Sequence, residues 1–282
     1  MIYHILFNPL SRNGKGADEA KAVSAKLNGE AVFTDITSVT SYPDYFGGIK
    51  EGDKLVICGG DGTLNRFVND CGELPDCDIL YFATGSGNDF LTDIGHKYGD
   101  GPVKINEYLT DLPTVTVNGK DRKFINGIGY GIDGFCCEIG DKKRIENPGK
   151  DINYASIAIK GMLYAFGPRK AKITVDGKEY AFPKTWLAPT MNGRMYGGGM
   201  IPTPHQQRIS DDKKLSVLYF GGAGRLHTLI LFPGIFSGEH LKHDKYCKEF
   251  AGKEISVEFN KPTALQIDGE TVLGVTEYTA RI

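Results

Sequence analysis

The feature that most constrains this fold is a short apolar segment running directly into a glycine-rich turn, which occurs three times in the first 90 residues. Ile2–Phe7, Lys54–Cys58 and Asp78–Phe82 have the length and apolar content of buried strands. Helix-like segments such as Ala17–Leu27 and Leu64–Val68 follow the first two turns. Strands that alternate with helices at this spacing predict a parallel, doubly wound sheet.

The pattern changes after about residue 112. Asn118-Gly119 and Asp176-Gly177 each separate two strand-like runs, which is the arrangement typical of a β-hairpin. Further strand-like runs are Leu215–Phe220, Glu254–Phe259 and Ala264–Ile267, and Tyr154–Phe166 is long enough for a helix. Frequent strands with such turns predict an antiparallel sandwich or barrel.

We therefore predict two domains within the 282 residues. Residues 1–112 form an α/β, Rossmann-like nucleotide-binding domain, and residues 113–282 form a β-rich domain. The last few residues are left free to return to the N-terminal domain.

Charge and cysteine content bear on partners and compartment. The 33 basic and 35 acidic side chains nearly balance, which gives no electrostatic reason to expect nucleic-acid binding. Six cysteines without a CxxC pair indicate buried, reduced thiols. The first residues lack the pattern of a signal peptide, and the longest apolar stretch, Leu226–Phe236, is too short to span a bilayer. We therefore expect a cytoplasmic protein.

The glycine turns predict a phosphate site. Gly59-Gly60-Asp61-Gly62-Thr63 follows one strand and opens a helix, so backbone amides and the helix N-terminus can face a phosphate. A plain turn capped by Thr63 is the structural alternative. Similar turns begin at Asn8 and at Ala83. Ligands of open parallel sheets bind at the carboxyl ends of strands, so the turns should meet there.

These and later motifs resemble a known family, the soluble lipid kinases with a diacylglycerol kinase catalytic domain, which include bacterial diacylglycerol kinases and sphingosine kinases. The resemblance covers nearly the whole chain. Its marks are Asn8-Pro9 with Gly14 and Gly16; Gly59–Thr63 with Asn65; Gly85–Asp89; Asn126 with Gly129, Gly131 and Asp133; Asn192 with Gly197–Gly199 and Pro202; Asp212 with Leu215; Gly238 with His240; and Asp268-Gly269-Glu270. The Gly-Gly-Asp-Gly-Thr element is shared with NAD kinases and phosphofructokinases, while the Gly-Gly-Gly and Asp-Gly-Glu elements favour the lipid kinases.

The resemblance implies an ATP-binding N-terminal domain and an active site in a cleft between the domains. Glu270 would be the general base, and Asp61 would position Mg²⁺ or the lipid hydroxyl. The implied nucleotide-binding residues are Asn8, Ser11, Thr34, Gly59, Gly60, Asp61, Gly62, Thr63, Asn65, Gly85, Ser86, Asn88 and Asp89.

The resemblance also implies a structural Mg²⁺ loop at Ile209, Asp212 and Lys214, through the carboxylate of Asp212 and the backbone carbonyls of the other two. A solvated charged turn is the alternative. The chain departs from the family pattern at four positions. Arg66 replaces an acidic residue, Leu91-Thr92 replaces Ala-Arg, and Lys213 replaces the glycine after Asp212. Arg66 either contacts phosphate or lies on an exposed helix face.

The expected function is an ATP- and Mg²⁺-dependent lipid kinase that phosphorylates a hydroxyl of diacylglycerol or a related lipid, within phospholipid biosynthesis. The lipid would be presented at a membrane surface, and the protein would contact the inner face of that membrane peripherally. The sequence is also compatible with a homodimer. Leu226–Phe236 is either a membrane-contacting surface or core. Two alternatives remain: a kinase for a soluble acceptor, like the NAD kinases, or a non-catalytic nucleotide- or lipid-binding homologue.

Overall fold

A computed structural model describes residues 1–9, 11–85, 87–147, 150 and 152–282. The chain divides into two compact units, Met1–Leu112 and Pro113–Ile282. The first unit contains strands β1 (Ile2–Phe7), β2 (Glu30–Asp35), β3 (Lys54–Gly59), β4 (Asp78–Ala83) and β5 (Val103–Lys104), and helices α1 (Ser11–Gly14), α2 (Gly16–Ser24), α3 (Tyr42–Gly47), α4 (Asp61–Asp70), α5 (Asp89–Asp93) and α6 (Asn106–Leu109).

The first unit is built on one sheet with the strand order β2-β1-β3-β4-β5. The first four strands are parallel, and β5 joins the edge antiparallel. β3 is buried almost throughout, as expected for a central strand with helices on both faces. Strand order reverses between β1 and β3, and ligands of such sheets bind beside this switch point. The predicted α/β fold is confirmed.

The second unit contains strands β6 (Thr114–Val117), β7 (Lys120–Lys123), β8 (Gly127–Tyr130), β9 (Arg169–Val175), β10 (Lys178–Leu187), β11 (Thr190–Met191), β12 (Leu215–Gly221), β13 (Cys247–Gly252), β14 (Glu254–Ile267) and β15 (Glu270–Arg281). Its helices are α7 (Ile132–Glu146), α8 (Tyr154–Lys160), which continues as a π-helical turn Gly161–Ala165, and α9 (Arg225–Leu231).

These strands form one antiparallel sheet, β7-β6-β15-β14-β8-β11-β12-β10-β9, with β13 beside β12. β14 also pairs with β9, so six strands close into a barrel around an apolar core that includes Ile173, Val217, Val257 and Leu265. The predicted antiparallel β-rich fold is confirmed. The last strand, β15, pairs with β14 and β6 and so lies within this unit rather than in the first.

Several elements of this unit were not anticipated, among them the helix α7 and the strands β8, β13 and β15. The runs that we read as two strands, at Glu254 and Ala264, are one strand whose register shifts between Glu258 and Thr263. No helix in the described part of the chain is both long and apolar enough to cross a bilayer.

Candidate functional site

The glycine turns after β3 and β4 are in direct backbone contact. The amide of Thr84 donates a hydrogen bond of 2.9 Å to the carbonyl of Gly59. A Cβ at Gly85 would lie only 2.8 Å from the Cα of Gly60, closer than real Cβ atoms come to backbone. The structure therefore brings together two turns that are 25 residues apart in sequence.

The glycines of these turns serve two different purposes. A Cβ at Gly59 would lie 2.4 Å from the Cβ of Thr63, and one at Gly16 would lie 1.9 Å from the carbonyl oxygen of Asn8, so both glycines are required by packing. A Cβ at Gly62 or Gly87 would meet nothing within 4 Å. Gly62 leaves open space at the start of α4 and Gly87 leaves open space just before α5, so a ligand could approach the backbone of both turns.

Asp61, the first residue of α4, is held by the start of α5. Its Oδ2 accepts hydrogen bonds from the amides of Asp89 at 2.9 Å and Phe90 at 3.3 Å, and Tyr81 Oη lies 3.5 Å from its Oδ1. Burial raises the pKa of Tyr81 well above its ordinary value, with the nearby Asp61 charge adding to the rise, so the phenol is neutral. The Asp61 carboxylate thus joins the two turns by capping α5.

Asn88 lies at the N-cap of α5 and has an unused acceptor. Its side-chain nitrogen donates to the carbonyl of Gly85 at 3.0 Å. Its Oδ1 is buried and has no hydrogen-bond partner among the described residues. A buried acceptor without a donor costs free energy. A ligand that places a hydroxyl, an amine or a bound water at this position would supply the missing donor.

Other predicted nucleotide residues lie after β1, on β2 and in α4. The carbonyl of Asn8 accepts hydrogen bonds from the amide and hydroxyl of Ser11, at 3.1 and 2.8 Å. Thr34 is half-buried on β2, opposite Leu6 of β1. Thr63 and Asn65 are buried in α4. Ser86 lies outside the described residues.

Arg66 lies on the exposed face of α4. Its guanidinium is about half exposed and lies 3.2 Å from the Asp70 carboxylate one turn later. Such an exposed i,i+4 pair contributes little to stability. This placement agrees with the exposed-face interpretation of Arg66.

In the second unit, Asp268 and Gly269 form the turn that positions Glu270. Both have positive φ, +46° and +93°, and they connect the paired residues Ile267 and Glu270, which defines a two-residue hairpin. The Asp268 carboxylate accepts hydrogen bonds from three consecutive amides, of residues 125 to 127, at 2.6 to 2.9 Å. Asp268 therefore fixes this hairpin to the start of β8.

Glu270 is the first residue of β15, and its side chain is about half exposed. Its Oε2 lies 2.5 Å from a guanidinium nitrogen of Arg122 on β7. The carboxylate is therefore both oriented and open to solvent.

The structure reveals a polar cluster around Asp133 that the sequence marked only as part of a motif. Tyr196 donates a 2.9 Å hydrogen bond to Asp133 Oδ2, and the amide of Gly134 donates to Oδ1. Burial raises the pKa of Asp133 to about 6, although these hydrogen bonds oppose the rise. A Cβ at Gly129 would lie 1.7 Å from Asp133 Oδ2, which explains the glycine of this motif.

The predicted magnesium loop lies before β12. Asp212 Oδ2 lies 2.5 Å from the ammonium of Lys214, which lowers the pKa of the Asp212 carboxyl and raises that of Lys214. The carbonyl of Lys214 accepts a hydrogen bond of 2.8 Å from the Gln206 side chain. Ile209 has an exposed side chain, and Lys213 has a φ of +36°. Among the described residues, no cluster of three His, Cys, Asp or Glu side chains could hold a metal ion.

In comparisons with known proteins, each of the two units matches the sequence model of a known protein domain. Residues 3–115 match the sequence model of the diacylglycerol kinase catalytic domain, and residues 126–282 match that of the YegS C-terminal NAD kinase beta sandwich-like domain. A diacylglycerol kinase of Mycobacterium tuberculosis (strain H37Rv) is 25% identical over 256 residues, covering 85% of this chain and 80% of the relative. A crystal structure of a diacylglycerol kinase from Bacillus anthracis shares the fold, with a TM-score of 0.62 and 18% identity, over 99% of this chain and 93% of that chain.

Proposed function

Because this chain belongs to the family of lipid kinases with a diacylglycerol kinase catalytic domain, we propose that it transfers the γ-phosphate of Mg²⁺-ATP to a hydroxyl of diacylglycerol or a related lipid. The observation that carries this proposal is the pair of contacting glycine turns, open at Gly62 and Gly87. Backbone amides there, together with the N-terminus of α4, suit the phosphates of a nucleotide.

The buried Asn88 Oδ1, for which the described residues supply no hydrogen-bond donor, supports a polar ligand at these turns. A carboxylate has about four lone pairs, so Asp61 can accept the two α5 amides and still reach a cation or a metal-bound water. Mg²⁺ usually keeps several waters and binds one or two carboxylates plus the phosphates of the substrate. It would neutralise charge on those phosphates, with Asp61 as its protein ligand.

In the proposed reaction, the carboxylate of Glu270 accepts the proton of the lipid hydroxyl. The hydroxyl oxygen forms a bond to the γ-phosphorus, the bond from that phosphorus to the β–γ bridging oxygen breaks, and ADP leaves. Arg122 would hold the Glu270 carboxylate in place for this step. The protein contributes mainly positioning and charge neutralisation.

A cavity in the second unit supports a lipid as the acceptor. It lies between α7 and α8 and has a volume of about 470 Å³, within the range of small-molecule sites. Phe135, Ile139 and Ile157 give it apolar walls, and lysines 143, 150 and 160 lie along it. None of the described residues that line it is acidic. The apolar walls suit the acyl chains of a lipid, and the lysines suit the anionic headgroups that surround this lipid in an anionic bilayer.

The Leu226–Phe236 stretch supplies both core and surface. Leu231 and Ile235 are buried, whereas Leu226 and Ile230 are 72% and 77% exposed on one face of α9. Tyr164, in the π-helical turn that contacts α9, is 65% exposed. We propose that this face contacts the membrane from which the lipid is taken.

Phosphate transfer tests the proposed reaction. Labelled γ-phosphate should pass from Mg²⁺-ATP into a lipid of a mixed extract, and Glu270→Gln should reduce the rate at least a hundredfold because it removes the proton acceptor. Glu277→Gln, an exposed carboxylate on the same strand, is the control and should leave the rate unchanged. Labelling of NAD instead of lipid, or labelling of neither, would contradict the proposal.

Binding to vesicles tests the membrane face. Replacing Leu226 and Ile230 together by serine should reduce co-sedimentation with anionic phospholipid vesicles severalfold, because two exposed apolar side chains are lost from one face. Leu273→Ser, which changes a residue 60% exposed on β15, should bind as the unchanged protein does. Equal loss in both proteins would show that α9 is not the contact.

A further inference from the structure

The loop for which the family resemblance implies Mg²⁺ is densely bonded to the protein's own donors. Gln206 is almost fully buried, and its side-chain nitrogen donates toward three backbone carbonyls, of Asn192 at 3.1 Å, Gln207 at 3.1 Å and Lys214 at 2.8 Å. An amide nitrogen carries only two hydrogens, so three acceptors crowd around two donors. The three carbonyl oxygens thus surround the Gln206 nitrogen in the way that oxygen ligands surround a bound cation.

Of the two carboxylates in the loop, the one that the resemblance implies as a ligand, Asp212, is also engaged. Asp212 Oδ2 lies 2.5 Å from the Lys214 ammonium, so the positive charge beside this carboxylate is already provided by a side chain. Lys214 thus takes part twice: its ammonium occupies the Asp212 carboxylate, and its carbonyl accepts the Gln206 amide. Two of the three oxygen ligands implied by the resemblance are therefore already bonded within the protein.

Arg208 adds a second cation that fixes the loop. Its guanidinium donates to the carbonyl of Ile125 and to the side-chain oxygen of Asn126, both at 2.5 Å. These two residues precede β8, and the amides of both are held by Asp268. The loop is consequently tied to the same part of the unit as the hairpin that carries Glu270, without any bond that needs a metal.

Lys213 has a backbone conformation that lysine disfavours. Its φ of +36° lies in the left-handed region, which glycine adopts freely and lysine does not. The family pattern has glycine at this position, and this chain keeps the turn while placing a lysine in it. The loop conformation is therefore maintained at some backbone cost.

We infer that the loop from Gln206 to Lys214 has replaced a structural Mg²⁺ with its own amide, guanidinium and ammonium donors, and that it folds without binding Mg²⁺. As arranged, the loop does not fit the ion, because a cation bound to Asp212 would have to displace the Lys214 ammonium or lie beside its like charge, and the Gln206 amide already lies on the Lys214 carbonyl. This inference concerns folding and does not depend on the proposed kinase activity.

Thermal unfolding without nucleotide tests the inference. The melting temperature should be the same in millimolar Mg²⁺ and in excess EDTA. If Mg²⁺ raises it, the rise is measured again in Asp212→Asn. A rise that persists comes from Mg²⁺ bound elsewhere and agrees with the inference, whereas a rise that disappears places Mg²⁺ in the loop and overturns it.

A second measurement tests the donor that replaces the ion. Gln206→Ala should lower the melting temperature by about 4 to 8 °C, because it leaves buried carbonyls without a donor. Gln207→Ala removes an adjacent, exposed side chain and should change it by less than about 1 °C. Equal melting temperatures for Gln206→Ala and the unchanged protein would overturn the inference.

Discussion

At the scale of single residues, the Asp61 carboxylate combines a structural bond with its proposed part in catalysis. It caps the start of α5 through two amides, so Asp61→Ala removes a helix cap as well as a charge. Loss of a cap costs about 1 kcal/mol, which is small beside the stability of a domain. A loss of phosphate transfer in this variant is therefore informative only when its folding is measured alongside, which is why Glu270→Gln is the sharper test.

Asp133 leads to a prediction about pH. Its pKa is about 6 in the folded protein, against an ordinary value of 3.8. Between pH 3.8 and pH 6 the folded state therefore binds more protons than the unfolded state. Its contribution to the free energy of unfolding therefore grows as pH falls through 6 and is lost as pH rises. Asp133→Asn should be less destabilising at pH 7 than at pH 4.5, by roughly 2 kcal/mol in urea unfolding.

Glu146→Gln, on the exposed end of the same helix, provides the comparison for Asp133. It should change stability by the same small amount at both pH values. The raised pKa would be contradicted if Asp133→Asn changed the free energy of unfolding by the same amount at pH 7 and at pH 4.5.

At the scale of elements, glycines decide where two segments can touch. In α7, a Cβ at Gly134 would lie 2.0 Å from the carbonyl oxygen of Ala264, and one at Gly140 would lie 2.7 Å from the ring of Tyr154. Glycine disfavours helices, so the local sequence argued against α7. Close packing of this helix on β14 and α8 requires the same glycines, and tertiary contact overrides the local preference.

The glycine turns of the first unit give a prediction at this scale. Gly62→Ala and Gly87→Ala should leave the melting temperature within about 2 °C, because a methyl group meets open space, yet they should weaken ATP binding at least tenfold by blocking the backbone. Gly59→Ala should instead destabilise the fold, because its methyl group would overlap Thr63. Calorimetry and nucleotide titration on the same three proteins separate the two effects; unchanged ATP binding in the first two would refute the site.

At the scale of the whole molecule, the two units are stabilised by apolar cores and not by covalent cross-links. In the structure none of the six cysteines forms a disulfide, and four of them are buried. Burial raises the pKa of Cys58 and of Cys247 to about 12, so these thiols stay protonated and unreactive at neutral pH. The sequence predicted buried, reduced cysteines from their number and spacing.

Thiol titration checks this arrangement. In the folded protein, a thiol reagent should react slowly and incompletely, with Cys77 and Cys137 the more accessible sites. In denaturant all six should react. Because the structure has no disulfide at these positions, a reducing agent should leave the melting temperature unchanged. Fewer than six thiols in the denatured, unreduced protein would reveal a disulfide and contradict the structure.

The sequence by itself determined the fold class of each unit and several of the turns that end its strands. Buried strands were visible as apolar runs, and hairpins were visible at Asn118-Gly119 and Asp176-Gly177, because strand burial and turn geometry depend on residues that are adjacent in the chain. The contact between the turns after β3 and β4 followed from the rule for parallel sheets.

Only the tertiary structure decided which groups bond across long separations. Asp61 reaches amides 28 and 29 residues away, and Asp268 reaches amides more than 140 residues away. The bonds of Gln206 to Asn192 and Lys214 span only 14 and 8 residues, but they join irregular loops, whose paths no local periodicity predicts. A local pattern gives the residue types available for such bonds, but the partner is chosen by three-dimensional packing, which brings distant donors and acceptors together away from water.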